Sequence, residues 1–188
     1  MFADALRREL AERGALLDGH FRLSSGRHSD RFVQKFRILE DPTIVEPIAK
    51  ALAERARQYT PNVVVSAAVG GIVLGYEVAR QLGTKAIFVE KEDGQPKLRR
   101  GFALGPGDRA FVVEDVVTTG GSVREVLGVV QRSGASSVAV GIIVRREYAD
   151  FGVPSLALLD LPVTSYEPEA CPQCAQGAPL NEPGSRRL

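Results

Sequence analysis

Phe111 to Val126 reads FVVEDVVTTGGSVREV, and the fold turns on how this stretch is divided. An aromatic and β-branched run opens it, the kind of sequence that fills a buried strand. Two adjacent carboxylates follow, Glu114 and Asp115, then Val116 and Val117. Thr118, Thr119, Gly120, Gly121 and Ser122 are all small, and Val123 and Val126 restore helical spacing. The strand is expected to end near Glu114 and the helix to start near Gly121 or Ser122.

Outward from this unit the same rhythm continues. NVVVSAA (62–68), KAIFVE (85–90), SVAVGIIV (137–144) and LALLDL (156–161) read as further strands, and GGIVLGYEVARQLG (70–83) reads as a helix. Continuous apolar strands alternating with amphipathic helices predict an α/β fold, a parallel sheet covered on both faces. Residues 2–13 predict a surface helix ending at Gly14, and Pro42–Gln58 predicts another. Between them, HFRLSSGRHSDRFVQKFRIL alternates too irregularly for a helix and reads as short strands with turns.

The chain has 188 residues, 44% of them hydrophobic, with a net charge of +1. That length suits one domain with an appendage. The charge balance gives no bias toward nucleic acid or membrane. No apolar run is long enough to span a bilayer, and the N-terminus lacks a signal-peptide core, so a cytoplasmic protein is expected. The two cysteines, Cys171 and Cys174, do not make a disulfide framework there.

In a doubly wound sheet, ligands sit at the carboxyl ends of the strands. Three loops fall there: Ala67–Gly71, Lys91–Gly101 and Glu114–Ser122. At the last, backbone amides of Thr118 to Ser122 converge on a helix start and favour an anion. There is no Gly-Lys-Ser/Thr ending and no Gly-x-Gly-x-x-Gly, so neither a triphosphate loop nor a dinucleotide fold is indicated. Carboxylates beside a phosphate repel it unless they bind another part of the same molecule. Ribose hydroxyls are good donors to carboxylates, so a ribose 5-phosphate suits both halves.

VVEDVVTTGGS resembles the phosphoribosyl pyrophosphate (PRPP) motif of type I phosphoribosyltransferases. The resemblance implies that family's fold, a mostly parallel doubly wound sheet under a small N-terminal hood. It implies that Glu114 and Asp115 bind ribose hydroxyls and that residues 118–122 hold the 5-phosphate, with Val116 and Val117 in the same PRPP-binding stretch. FRLSSGRHSDRF (21–32) resembles the hood signature of the orotate phosphoribosyltransferases. That family joins orotate to PRPP, uses Mg2+ bound mainly through PRPP, and works as a homodimer. By this resemblance Ser25 and Gly26 lie under the base, Phe32 packs on it, and Thr118 lies near the orotate carboxylate. IIVRREY (142–148) supplies an arginine to that carboxylate, with Arg146 the better match and Arg145 the next.

Two departures are visible. Many relatives carry lysine where Ser24 stands. The family's mobile loop has Arg-Lys, a second Lys and a His, whereas EKEDGQPKLRRG (90–101) keeps the positive charge without the spacing. Lys91 aligns best, and Lys91, Asp115 and Arg100 form the expected catalytic set. Lys97, Arg99 and Arg100 remain alternatives for reaching the pyrophosphate. Ala68 and Gly70 are expected to offer backbone amides to it.

The expected organisation is a hood and helix over 1–40, a PRPP-binding core over 41–165 and an arm over 166–188. The arm's Cys-x-x-Cys resembles a subgroup of orotate transferases that ends in a similar pair and Pro-Gly-Ser-Arg. It is half of a zinc ribbon, and a structural zinc wants four ligands. With no histidine nearby in sequence, a reduced surface turn is expected instead. His20 and His28 are expected to be structural or exposed. A purine phosphoribosyltransferase and a PRPP-sensing regulator are the competing readings.

Overall fold

The computed structural model describes residues 2–23, 25–162 and 164–183; Ser24 and the Gly-Ser-Arg of the tail motif (184–186) lie outside them. Helix α1 (Phe2–Glu12) precedes a hairpin of β1 (Leu16–Arg22) and β2 (His28–Val33). A one-turn helix α2 (Phe36–Leu39) follows, in a stretch expected to be irregular. Helix α3 (Pro42–Ala56) comes next. Asp41 caps α3 by accepting from Thr43 N at 2.9 Å, and Pro42 occupies the first turn, where its missing N–H costs nothing.

The main sheet contains β3 (Val63–Ala67), β4 (Lys85–Glu92), β5 (Gln95–Leu98), β6 (Arg109–Val117), β7 (Ser136–Arg145) and β8 (Ser155–Asp160). Their spatial order is β5-β4-β3-β6-β7-β8, parallel except for the edge strand β5. Helix α4 (Gly70–Leu82) links β3 to β4, and α5 (Gly121–Arg132) links β6 to β7. The helices take opposite faces. Leu74 and Val78 of α4 pack with Ile48 and Leu52 of α3 on Phe111 and Val113, while Val126 and Val130 of α5 pack on Val63, Val65 and Val112. The order reverses between β3 and β6, so their carboxyl ends diverge into a crevice.

Two expectations are corrected here. Strand β6 does not stop at Glu114 but runs on to Val117, because Val116 and Val117 still pair with Val144 and Arg145 of β7. Both carboxylates therefore belong to the strand. The charged segment at 90–101 is not an open loop: Glu90 to Leu98 form an antiparallel hairpin that extends the sheet edge.

The chain end returns to the hood. Strand β9 (Ser165–Tyr166) pairs with β2, so the hood sheet has the order β1-β2-β9, and the boundary expected at 165/166 falls inside β9. Helix α1 packs elsewhere: its Leu6 and Leu10 join the core beneath α3. Helix α6 (Pro172–Ala175) completes the arm.

Candidate active site

A cleft of about 500 Å³ opens between the hood and the carboxyl ends of β3 and β6. Its floor is the acidic pair. Asp115 is 2% exposed and Glu114 7% exposed. Val116 N donates to Asp115 Oδ1 at 2.7 Å, which fixes the carboxylate at the strand's edge. Lys35, just after β2, donates to the same oxygen at 3.2 Å and lies 3.0 Å from Oδ2. That Oδ2 is buried and has no well-directed hydrogen bond. Burial, and next the Asp115 charge, push Glu114 up to about 8; the Lys35 charge opposes them. The pair therefore takes up a proton more readily than two isolated carboxyls do, because burial and a neighbouring like charge both favour the neutral form.

Gly70 lets α4 start directly against this pair. A Cβ there would lie 2.3 Å from Asp115 Oδ2 and 2.9 Å from Lys35 Nζ. One turn on, a Cβ at Gly75 would lie 2.9 Å from Ser66 Oγ, so the helix rides close to β3 along its first two turns. The Ala67–Gly71 loop thus brings Ala67, Ala68, Gly70 and Gly71 to the cleft wall.

Across the cleft, Thr118, Thr119 and Ser122 line the entrance to α5. Gly120 is the residue before this helix, at φ 79°, a conformation that costs other residues strain. A Cβ at Gly120 would also meet the Phe151 ring at 2.7 Å. Neither Gly120 nor Gly121 lines the cleft with a side chain; their contribution is backbone. The Val117 side chain is buried in the core under α5, so of this residue only the main chain can face a ligand.

The base side is built by the hood. Ser25, Gly26 and Phe32 line the cleft, and the Phe32 ring packs 5.7 Å from that of Phe21. Arg146 is buried beside them. Its Nη2 donates to Ser29 Oγ at 3.2 Å and to the Arg31 carbonyl at 3.4 Å, while Nε is buried without a partner. Burial lowers its pKa from the usual guanidinium value, against the raising charges of Glu147 and Asp30. Arg145 points elsewhere, to Asp160 at 2.6 Å, with Tyr148 stacked beneath it. Of the two arginines, only Arg146 reaches the cleft.

The expected basic residues are not brought to the cleft. Lys91 pairs with Glu125 at 2.8 Å, Lys97 with Glu92 at 2.8 Å, Arg99 with Glu92 at 3.2 Å and Arg100 with Glu90 at 2.9 Å. All four pairs lie at the surface, where screening by water leaves each only a weak hold on its hairpin position. Lys35 is the residue that sequence reasoning missed. It stands alone in an irregular stretch, and its partner lies 80 residues away. His20 and His28, expected to be structural or exposed, are buried and face Cys171 and Cys174.

Comparison with known proteins agrees with this geometry. The model of the phosphoribosyl transferase domain matches residues 36–149. An orotate phosphoribosyltransferase of Carboxydothermus hydrogenoformans is 49% identical over the whole of both chains. One of Thermotoga petrophila is 51% identical over 95% of this chain and 97% of its own. Among solved structures, the orotate phosphoribosyltransferase of Aeropyrum pernix superposes with a TM-score of 0.71 at 27% identity, covering 83% of this chain and 93% of that one. An adenine phosphoribosyltransferase of Thermoanaerobacter pseudethanolicus shares the fold, with a TM-score of 0.61 at 17% identity over 70% of this chain and 88% of its own. The family model covers more than half of this chain, and relatives about 50% identical match nearly its full length, so the chain belongs to the phosphoribosyl transferase domain family, among the orotate phosphoribosyltransferases.

Proposed function

We propose that the chain transfers the phosphoribosyl group of PRPP to orotate, giving orotidine 5′-phosphate and pyrophosphate for pyrimidine synthesis. The observation that carries this reading is that Asp115, Glu114 and the buried Arg146 line one cleft with the Thr118–Ser122 helix start. In this reading each part of the two substrates meets a complementary group. The 5-phosphate takes the amides of residues 118–122 at the positive end of α5. The ribose hydroxyls donate to Asp115 and Glu114. The orotate carboxylate takes the Arg146 guanidinium, whose planar fork matches it, while the base packs on Phe32 over Ser25 and Gly26.

The reaction displaces pyrophosphate from C1 of the ribose by N1 of the orotate anion. Such glycosyl transfers pass through an oxocarbenium-like transition state. The chain's task is to align the reactants and shield them from water. No side-chain nucleophile is needed. Lys35 holds Asp115 ready for the sugar, and amides at Ala68 and Gly70 face the leaving group. Lys91, Lys97, Arg99 and Arg100 supply cations to the pyrophosphate once they leave their glutamate partners, which costs little at a solvated surface. The cleft offers Mg2+ oxygen donors, among them the buried, poorly bonded Asp115 Oδ2, and hard cations take such ligands. Bound with PRPP, Mg2+ supplies charge neutralisation at the pyrophosphate. The active form in this reading is a homodimer.

A purine would leave the buried guanidinium of Arg146 without a carboxylate, which disfavours that alternative. Loss of orotate absorbance with PRPP and Mg2+ tests the proposal, with adenine and hypoxanthine as competitors. Turnover of a purine and none of orotate would refute it.

A further inference from the structure

We propose that His20, His28, Cys171 and Cys174 bind one structural zinc ion that clamps the C-terminal arm to the hood. One ligand atom from each residue lies within 4.8 Å of the other three. His20 Nε2 is 3.2 Å from His28 Nδ1, 3.5 Å from Cys171 Sγ and 3.6 Å from Cys174 Sγ, and Cys174 Sγ is 3.2 Å from His28 Nδ1. A tetrahedral zinc with the usual Zn–S and Zn–N bonds places its ligand atoms about 3.3–3.8 Å apart. Four of the six pairs already lie close to that spacing, and all six lie within 4.8 Å, so a small inward movement completes the tetrahedron.

Protons alone do not satisfy these four groups. His20 Nδ1 lies 3.0 Å from the Ala178 carbonyl, which only accepts, so Nδ1 carries the hydrogen and Nε2 is a bare lone pair. Three groups crowd that one lone pair: the His28 ring nitrogen and two free thiols. It can accept fully from one of them. A divalent cation removes the conflict, since all four lone pairs then point inward. The Ala178 carbonyl becomes the outer partner that fixes the ring, as zinc-bound histidines commonly have. Two thiolates cancel the ion's charge, which suits a cluster with three buried members. Binding releases the two thiol protons to solvent. Sulfur and imidazole donors together select zinc over magnesium or calcium, and four protein ligands leave no open position for catalysis.

The clamp has a specific target. Asn181 N donates to the His20 carbonyl at 2.8 Å, Arg22 N donates to the Asn181 carbonyl at 2.9 Å, and Gln173 Nε2 donates to the Gly19 carbonyl at 3.1 Å. Beyond Asn181, Glu182 and Pro183 line the cleft beside Arg22. Zinc therefore fixes the segment that forms the hood-side rim of the cleft.

The test uses the full, untagged chain produced in zinc-containing medium and purified without chelator. Elemental analysis is expected to find about one zinc per chain. The Cys171→Ser/Cys174→Ser variant should lose it, with its melting temperature lowered by roughly 5 °C or more. Cobalt exchanged into the parent chain should give the thiolate charge-transfer and tetrahedral d–d bands of a sulfur and nitrogen site. Should the double variant fail to fold, a chromogenic chelator titrated against the parent chain reads zinc release and its affinity directly. A parent chain that neither carries zinc nor takes it up when titrated would overturn the proposal, as would a folded double variant with undiminished zinc. Neither result depends on whether the cleft turns over orotate.

Discussion

Asp115→Asn separates binding chemistry from stability. The variant keeps the side chain's size and its carbonyl oxygen, so the 2.7 Å bond from Val116 N survives. What it loses is the charge facing Lys35, whose side chain is 33% exposed and can turn to water. The charge left behind is the exposed one, on Lys35, so losing the pair costs about 1 kcal/mol. In a chain of this length that lowers the melting temperature by about 2–4 °C. Glu114 recovers part of it, because the Asp115 charge is one cause of its raised pKa.

Activity should respond on another scale. A hydrogen bond to a charged acceptor is worth about 1.5–3 kcal/mol, and each one lost from the ribose costs roughly 10- to 150-fold in kcat/KM. Initial rates of orotate loss at limiting PRPP measure this, with thermal melting alongside. Asp160→Asn removes the same charge from the solvated pair with Arg145 and serves as the control. An Asp115→Asn enzyme within about threefold of the parent in kcat/KM would refute the sugar-binding role, since such a change is under 1 kcal/mol.

The other expectations follow from the same geometry. Gly70→Ala puts a Cβ 2.3 Å from Asp115 Oδ2; kcat should fall about 100-fold, as small misplacements at a reacting centre do, and melting should fall by several degrees, since overpacking a buried site costs about 1–3 kcal/mol. Arg146→Ala should raise KM for orotate by roughly 10- to 150-fold and leave KM for PRPP nearly unchanged, whereas Arg145→Ala should change neither; steady-state kinetics with each substrate varied decides. Glu114 holds a proton in the folded chain that the unfolded chain releases, so its stabilising contribution is complete below pH 4.5 and is lost as pH rises through about 8. Unfolding free energies from urea titrations across that window should fall with pH in the parent, by at most about 1.4 kcal/mol per pH unit from this group, and Glu114→Gln should flatten the slope. Lys91→Ala should melt like the parent, having lost only a solvated pair with Glu125, yet lose much of its turnover; a full-rate variant would remove Lys91 from the working set.

Much of the molecule was legible because it depends on local pattern. The parallel strands announce themselves as unbroken Val, Ile and Ala runs, and the acidic pair with its small-residue loop locates the cleft. What was not legible depends on partners distant in sequence. The end of β6 was misplaced by three residues because Val116 and Val117 remain paired only while β7 runs beside them as far as Arg145. The two arginines cannot be ranked by type, but β7 ends at Arg145, which turns to Asp160, and Arg146 N bonds back to the Val117 carbonyl, carrying its side chain beneath the hood. Lys35 has no motif of its own, and its role exists only once β2 lies over β6.

The hood makes the same point about the arm. Its three strands are short, β9 having only two residues, and such a sheet buries too little to stand alone. Phe21 and Val33 are the buried apolar side chains of its strands among the described residues. At the position where a larger sheet would place more of them, the hood instead buries His20 and His28 against the cysteines of the arm. Small units that lack a core are commonly stapled by a metal or by disulfides. The Cys-x-x-Cys was visible as half a site, but its complement lies about 150 residues earlier, on two strands that antiparallel pairing sets side by side. Neither half is interpretable alone. Together they give the chain's return to the hood after β8 a physical role: Glu182 and Pro183 supply part of the cleft rim, and the four clustered side chains tie the returning segment to β1 and β2.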